Sequence, residues 1–395
     1  MNWTKAFYLA VTAGVICSLN VAFGEQESLH SLDYLMATPD TLDRMIGEVL
    51  LDQHEGMEEY LLNEALRYDQ RREQLWRPDY SSVKNFLQSV EPNRDRWRAV
   101  MNPPVDYDAP LEPTLTPWFE TDKVRAWLFS LPLKGKFRGN AILIKPKAAA
   151  GQKLPVILCQ HGLGSDPSDT IKPESYHSVA VRLAEEGYAV FSTFNTSQKE
   201  ARNYFRRLTN LLGRSVWGVE IARTSRIIDY VETAADLDGS RVALWGKSYG
   251  GFFTQFALPL EPRIKVGIVT ASFNKRVPKM VILDPRYSCF TQGYSYTMEA
   301  VTPGRHIEED IYIRDYIREF GDAELTALAL PRPVMIQHGR ADRIAHAPMV
   351  AEEFERARAY YSRLGLGDRI ELVLHDGGHE MMVEEGLAFL DKWLK

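Results

Sequence analysis

Two hydrophobic periodicities divide the chain. From about Ser31 to Ala99 apolar residues recur three and four positions apart, as in Thr41-Leu42-Asp43-Arg44-Met45-Ile46-Gly47-Glu48-Val49-Leu50, the spacing that gives a helix one apolar face. A stretch with Pro103, Pro104, Pro110, Pro113 and Pro117 follows and predicts an extended connector. Beyond it, short, mainly apolar runs alternate with helical spacing. The runs are Val124 to Leu131, Asn140 to Ile144, Pro155 to Cys159, Tyr188 to Phe191, Arg241 to Trp245, Val266 to Val269, Pro333 to Ile336 and Ile370 to Leu374. Helical patterns such as Ser178 to Glu186 and Ile221 to Ala234 separate them. Strands apolar on both faces and joined through helices specify an α/β fold, a mostly parallel eight-stranded sheet flanked by helices, with an N-terminal helical extension. Only the polar turn from Leu133 to Arg138 separates the first two runs, which predicts an antiparallel hairpin at one edge of the sheet.

Two segments break the alternation, Asn195 to Gly213 and the longer Phe273 to Ala327. Loops that leave the carboxyl ends of parallel strands surround the ligand crevice, so both are candidates to build a substrate pocket, the insert at 273–327 acting as a lid. The first residues read differently again. Met1-Asn2-Trp3-Thr4-Lys5 precedes an apolar run from Ala6 to Val21 and then Ala22-Phe23-Gly24, the layout of a secretory signal peptide over 1–24. The alternative is an uncleaved membrane anchor, for which the run is near the lower length limit. A lipid anchor at Cys17 is disfavoured by the bulky Ile16 before it. The expected organisation is a signal peptide (1–24), a helical extension with its Pro-rich connector (25–114) and a main domain (115–395). The product is expected to be secreted or periplasmic, without stable membrane insertion after cleavage.

Composition narrows the partners. With 47 Lys and Arg against 53 Asp and Glu, a net charge of -6 and no sustained basic stripe, no nucleic acid is expected to bind. Cleavage would leave Cys159 and Cys289, which make no disulfide framework, and Cys159 falls in a predicted central strand as a buried thiol. No Cys/His spacing typical of a zinc site is present.

Chemistry concentrates in Gly246-Lys247-Ser248-Tyr249-Gly250-Gly251, a G-x-S-x-G element that follows a predicted strand and opens a helix. Such a turn strains the serine backbone and tolerates only glycine at positions 246 and 250. A serine hydroxyl needs a base to take its proton, and the base needs a carboxylate to orient it. His379, in Asp376-Gly377-Gly378-His379-Glu380 after the last strand, is the candidate base. Asp342, in His338-Gly339-Arg340-Ala341-Asp342 after the strand ending at Ile336, is the candidate acid, with Asp284 as its competitor. Asp376 is too close to His379 in sequence to reach behind its ring. His161 and His338 read as structural rings that shape loops. The oxyanion of a tetrahedral intermediate needs donors, for which the Tyr249 N–H and an N–H of the loop Gln160-His161-Gly162-Leu163-Gly164 are suited, Leu163 before Gly162.

These motifs in this order resemble the α/β-hydrolase superfamily over about Leu115 to Lys395, and within it the dienelactone-hydrolase-like and acetyl-xylan-esterase-like enzymes. The resemblance implies a serine carboxylic-ester hydrolase that works through an acyl-enzyme with no cofactor and no metal. A serine in place of the cysteine of dienelactone hydrolases proper argues against a dienelactone substrate. Together with export, it points to a small-molecule or oligosaccharide ester, acetylated or feruloylated carbohydrate in the first place. Arg202, Arg206 and Arg207 in the first insert are candidates to receive an acidic group, although such a trio more often forms a solvated face. Tyr287, Phe290, Tyr294 and Tyr296 in the second could stack on a ring, although lid aromatics more often pack the lid itself. Two rivals remain. A serine peptidase of prolyl-oligopeptidase type would need a β-propeller, for which residues 31–99 are too few and of the wrong period. A non-catalytic scaffold would ordinarily lack a member of the triad, and none is missing.

Overall fold

The computed structural model describes residues 32–148, 151–196, 199–277, 313–342 and 345–395. The predicted signal segment, Cys289, Asp284, Tyr287, Phe290, Tyr294 and Tyr296 lie outside them. The chain divides into two compact units, Met1–Leu61 and Leu62–Lys395. In the first, helix α1 spans Leu32–Ala37 and α2, Pro39–Leu66, begins. Met45, Ile46, Val49 and Leu50 of α2 are all exposed.

The second unit opens with α3 (Tyr68–Leu75) and α4 (Val83–Met101). Ser82 caps α4 by accepting the Asn85 N–H, and Asn102 ends it in the left-handed conformation at φ 40°. One face of α4, Phe86, Val90, Asn93, Trp97 and Met101, is buried at helical spacing. Its Trp97 packs edge-on to Phe256 and donates from Nε1 to the Phe256 carbonyl at 3.1 Å.

The sheet follows, with β1 (Thr114–Glu120), β2 (Val124–Lys134), β3 (Phe137–Pro146) and β4 (Leu154–Gln160). Next come α5 (Val179–Glu185), β5 (Ala189–Thr193), α6 (Lys199–Leu211), α7 (Val216–Thr233), β6 (Leu237–Lys247), α8 (Tyr249–Ala257) and β7 (Ile264–Thr270). After the second insert, α9 (Tyr316–Glu319), α10 (Asp322–Ala327), β8 (Val334–Gly339), α11 (Ala347–Ser362), β9 (Ile370–His375) and α12 (Val383–Leu394) complete the unit. The strands run in the order β1-β2-β3-β5-β4-β6-β7-β8-β9. The stretch from β5 to β9 is parallel throughout, and β1, β2 and β3 add an antiparallel meander to its β5 side. Every residue of β4, β5 and β8 is buried, as continuous apolar runs require of strands covered on both faces.

The count of eight strands is corrected to nine. The extra strand, β1, pairs with β2 from Thr114 to Glu120, where the Pro-rich stretch runs into the main domain, so the β2–β3 hairpin is not the sheet edge. Six of its seven residues are exposed, so no apolar run announces it, and Pro117 is tolerated because an edge strand leaves one side unpaired. Among the described residues, no helix is long and apolar enough to cross a membrane.

Candidate active site

Because β4, β6, β8 and β9 are parallel, their carboxyl ends lie along one rim of the sheet, and Leu163, Ser248, Asp342 and His379 follow those ends in the chain. Ser248 stands between the end of β6 and the first residue of α8 with φ 58° and ψ -117°, a backbone conformation costly to any side chain. Its N–H donates to the Thr270 carbonyl at 2.8 Å, which ties the turn to β7. The flanking glycines are required by contact. A Cβ on Gly246 would lie 1.9 Å from the Gly250 carbonyl oxygen, and one on Gly250 would lie 2.2 Å from that of Gln160. The turn packs directly on the loop after β4.

The structure brings Asp342 and His379 together. His379 Nδ1 donates to Asp342 Oδ2 at 2.7 Å, the carboxylate side chain being fully buried and the imidazole about a quarter exposed. A carboxylate only accepts, so a proton sits on Nδ1, and in the neutral ring the other nitrogen, Nε2, carries the lone pair. Two backbone bonds lash their loops together, from Arg340 N to the His375 carbonyl at 2.7 Å and from Ala341 N to the Gly377 carbonyl at 3.0 Å. Asp376 points into solvent, its side chain 99% exposed. Cys159 is a free thiol sealed in the sheet, and burial pushes it up to about 12.

In the loop after β4, the Gly162 N–H donates to Tyr176 Oη at 2.7 Å, so of the two oxyanion candidates there Leu163 is the one not committed to that tyrosine. The Tyr249 N–H is the first of α8, where no intrahelical acceptor exists. His161 holds the loop from behind. Its Nδ1 donates to the Gly162 carbonyl at 3.0 Å and its Nε2 accepts the Asn195 N–H at 3.3 Å, a pattern only the neutral ring can make. Burial lowers its pKa to match.

The first insert forms α6, but Arg202 neither sits on a solvated face nor offers a free charge. Its side chain is 1% exposed and pairs with Glu220 of α7 at 2.8 Å. Its guanidinium lies 4.0 Å from the centre of the Tyr249 ring, which also stacks on Trp217 at 4.2 Å. Arg206 is half-buried and lines a cavity of about 710 Å³ with Arg96, Arg214, Arg314 and Glu319, while Arg207 is exposed. The described ends of the second insert meet at Asp322, which accepts from Arg276 Nε at 2.7 Å, the Asn274 N–H at 2.8 Å and Tyr316 Oη at 2.8 Å.

Two neighbours of the site were given no role by the sequence. Lys247 is 4% exposed and donates to Ser175 Oγ at 2.6 Å, and His177 Nε2 lies 3.0 Å from Glu380 Oε2. Both contacts join segments far apart in sequence.

This sheet order, with the strained serine after β6, is the α/β-hydrolase fold. No protein-family model matches the chain. YtaP of Bacillus subtilis (strain 168), whose name makes it a candidate hydrolase, is 26% identical over 278 residues, 67% of this chain and 86% of its own. A structure from Bacteroides fragilis NCTC 9343, solved as a candidate acetyl xylan esterase, superposes with a TM-score of 0.56 at 16% identity over 75% of this chain and 78% of its own. A glucuronoyl esterase from Solibacter usitatus gives 0.54 at 16% identity over 80% and 96%. At these identities the structures share the fold.

Proposed function

We propose that the chain is an exported serine hydrolase of carboxylic esters, with Ser248 as nucleophile, His379 as general base and Asp342 as the carboxylate that orients it. The observation that carries this reading is the strained Ser248 turn on the same rim as an imidazole whose Nδ1 is held by a buried carboxylate at 2.7 Å. His379 Nε2 takes the Ser248 proton as Oγ attacks the ester carbonyl, and the Tyr249 and Leu163 N–H groups receive the oxyanion. Collapse breaks the bond to the alkoxide, which leaves with the proton from His379. Water, deprotonated by the same nitrogen, then cleaves the acyl-enzyme and restores the serine.

The substrate in this proposal is an ester of a carbohydrate or oligosaccharide. Its support is the signal-peptide-like sequence layout of residues 1–24 and the names of the fold neighbours, acetyl xylan and glucuronoyl esterases. Arg202 contributes to it by holding Tyr249 and not by meeting an acidic sugar, since Glu220 already answers its charge. The test is hydrolysis of p-nitrophenyl acetate by the purified protein beside Ser248→Ala. The expected loss of kcat is on the order of 10⁶-fold. Covalent labelling by a fluorophosphonate should map to Ser248, and an Ser248→Ala variant that still turns over or still labels removes the proposal.

A further inference from the structure

Between the short 3₁₀ turn Pro167–Ile171 and α5, three consecutive polar residues reach three different loops of the site. Ser175 accepts at Oγ from Lys247 Nζ at 2.6 Å, the residue before the nucleophile, and its carbonyl accepts the Met381 N–H at 3.3 Å, two residues beyond His379. Tyr176 accepts at Oη the Gly162 N–H at 2.7 Å, in the oxyanion loop. His177 meets Glu380, the residue after His379, at 3.0 Å. The Lys247 ammonium also lies 4.3 Å from the centre of the Tyr176 ring. Nothing in the triad chemistry uses these residues.

The segment is held in costly conformations. His177 and Ser178 both take left-handed backbone, at φ 50° and φ 53°, without being glycine, which persists only where surrounding contacts dictate it. Gly162 is clamped between the two parts it joins, since a Cβ there would lie 3.2 Å from Tyr176 Oη and 3.3 Å from Ser248 Cβ. The phenol therefore seats the oxyanion loop against the nucleophile, while its neighbours seat the nucleophile turn and the His379 loop.

We propose that Ser175, Tyr176 and His177 form an alignment brace, with Tyr176 as the positioning residue that aims the Leu163 N–H at the oxyanion. The inference rests on the serine-hydrolase reading. It places the gain in the transition state and not in substrate binding, because the peptide that Tyr176 fixes points its next N–H to where charge develops.

The test is Tyr176→Phe, which keeps the ring under Lys247 and removes only the hydroxyl, the acceptor for Gly162 and the donor to Ser165 Oγ at 3.3 Å. With p-nitrophenyl acetate, kcat should fall on the order of 10- to 100-fold with KM within about twofold. Affinity for a boronic acid that forms a tetrahedral adduct with Ser248 should fall by the same factor, and the melting temperature should change little. A purely structural tyrosine would lower the melting temperature and leave the boronate affinity of the folded fraction intact. That result, or kcat within twofold of wild type, overturns the brace. Should Tyr176→Phe fail to fold, Ser175→Ala carries the test, with the same split in kcat and KM expected at a smaller factor and an unchanged kcat counting against it. A Ser248→Ala control that keeps activity would instead overturn the hydrolase reading itself.

Discussion

The two residues beside Ser248 face opposite kinds of surroundings. Lys247 turns into a polar cluster, where its ammonium meets Ser175 and Tyr176 and feels the charges of Asp342 and Glu380. Tyr249 turns into an aromatic layer, stacked on Trp217, which itself meets Phe256 edge-on at 5.0 Å, with the Arg202–Glu220 pair alongside. Hydrogen bonds are directional, so the polar side can set angles between loops. Packing is not, so the aromatic side can supply cohesion but little aim. The nucleophile is thus oriented from one flank and anchored from the other.

Asp342→Asn tests the polar flank with the largest effect. An amide can present its N–H to His379 Nδ1 and select the wrong tautomer, so kcat should fall on the order of 10⁴-fold while thermal unfolding shifts far less. A loss of activity matched by a loss of fold would erase the distinction between the flanks. Trp217→Ala tests the aromatic flank and should give the opposite ratio. Removing a fully buried indole costs about 3–5 kcal/mol of stability, read in urea unfolding, and activity should fall only with the folded fraction.

Tyr249→Phe sharpens the comparison. The Tyr249 hydroxyl is buried and, among the described residues, has no hydrogen-bond partner, so it contributes nothing to aim and carries a desolvation cost. Deleting it while keeping the ring should raise stability by about 1 kcal/mol, seen as a higher urea midpoint at unchanged slope. A lower midpoint would mean that the flank is held by a polar contact after all.

The two flanks also differed in how far the sequence disclosed them. Strands apolar on both faces were legible, because burial on both sides leaves a continuous run, and β1 was not, because its residues are exposed and one is proline. The G-x-S-x-G turn was legible because its constraint is local, the two glycines being needed within four residues of each other. Arg202 was misleading because its partner, Glu220, belongs to the next helix, and periodicity within one helix carries no sign of it. The brace was invisible for the same reason on a larger scale. Ser175, Tyr176 and His177 have ordinary polar character, and their contacts with Lys247 and Glu380 span 72 and 203 residues. Only the parallel sheet, by collecting its loops on one rim, makes them neighbours.

The smallest effect expected is a slope. Burial pushes Lys247 down to about 8 from an ordinary 10.5, against the opposing pull of Asp342, Glu380 and Asp169. The groups around it also include Tyr176 and, through Glu380, His177. Between about pH 8 and 10.5 the unfolded chain therefore holds a proton at this lysine that the folded chain has released, so stability contributed by this group rises with pH across that window. Below pH 8 both states are protonated and the slope vanishes. Lys247→Met lacks the titration, so the melting temperature of the wild type minus that of the variant should grow more positive from pH 8 to 10 and stay level from pH 6 to 7.5. A difference that is flat throughout would mean that the ammonium is solvated where it lies, and the polar flank would then be held by Ser175 and Tyr176 without any cost in charge burial at Lys247.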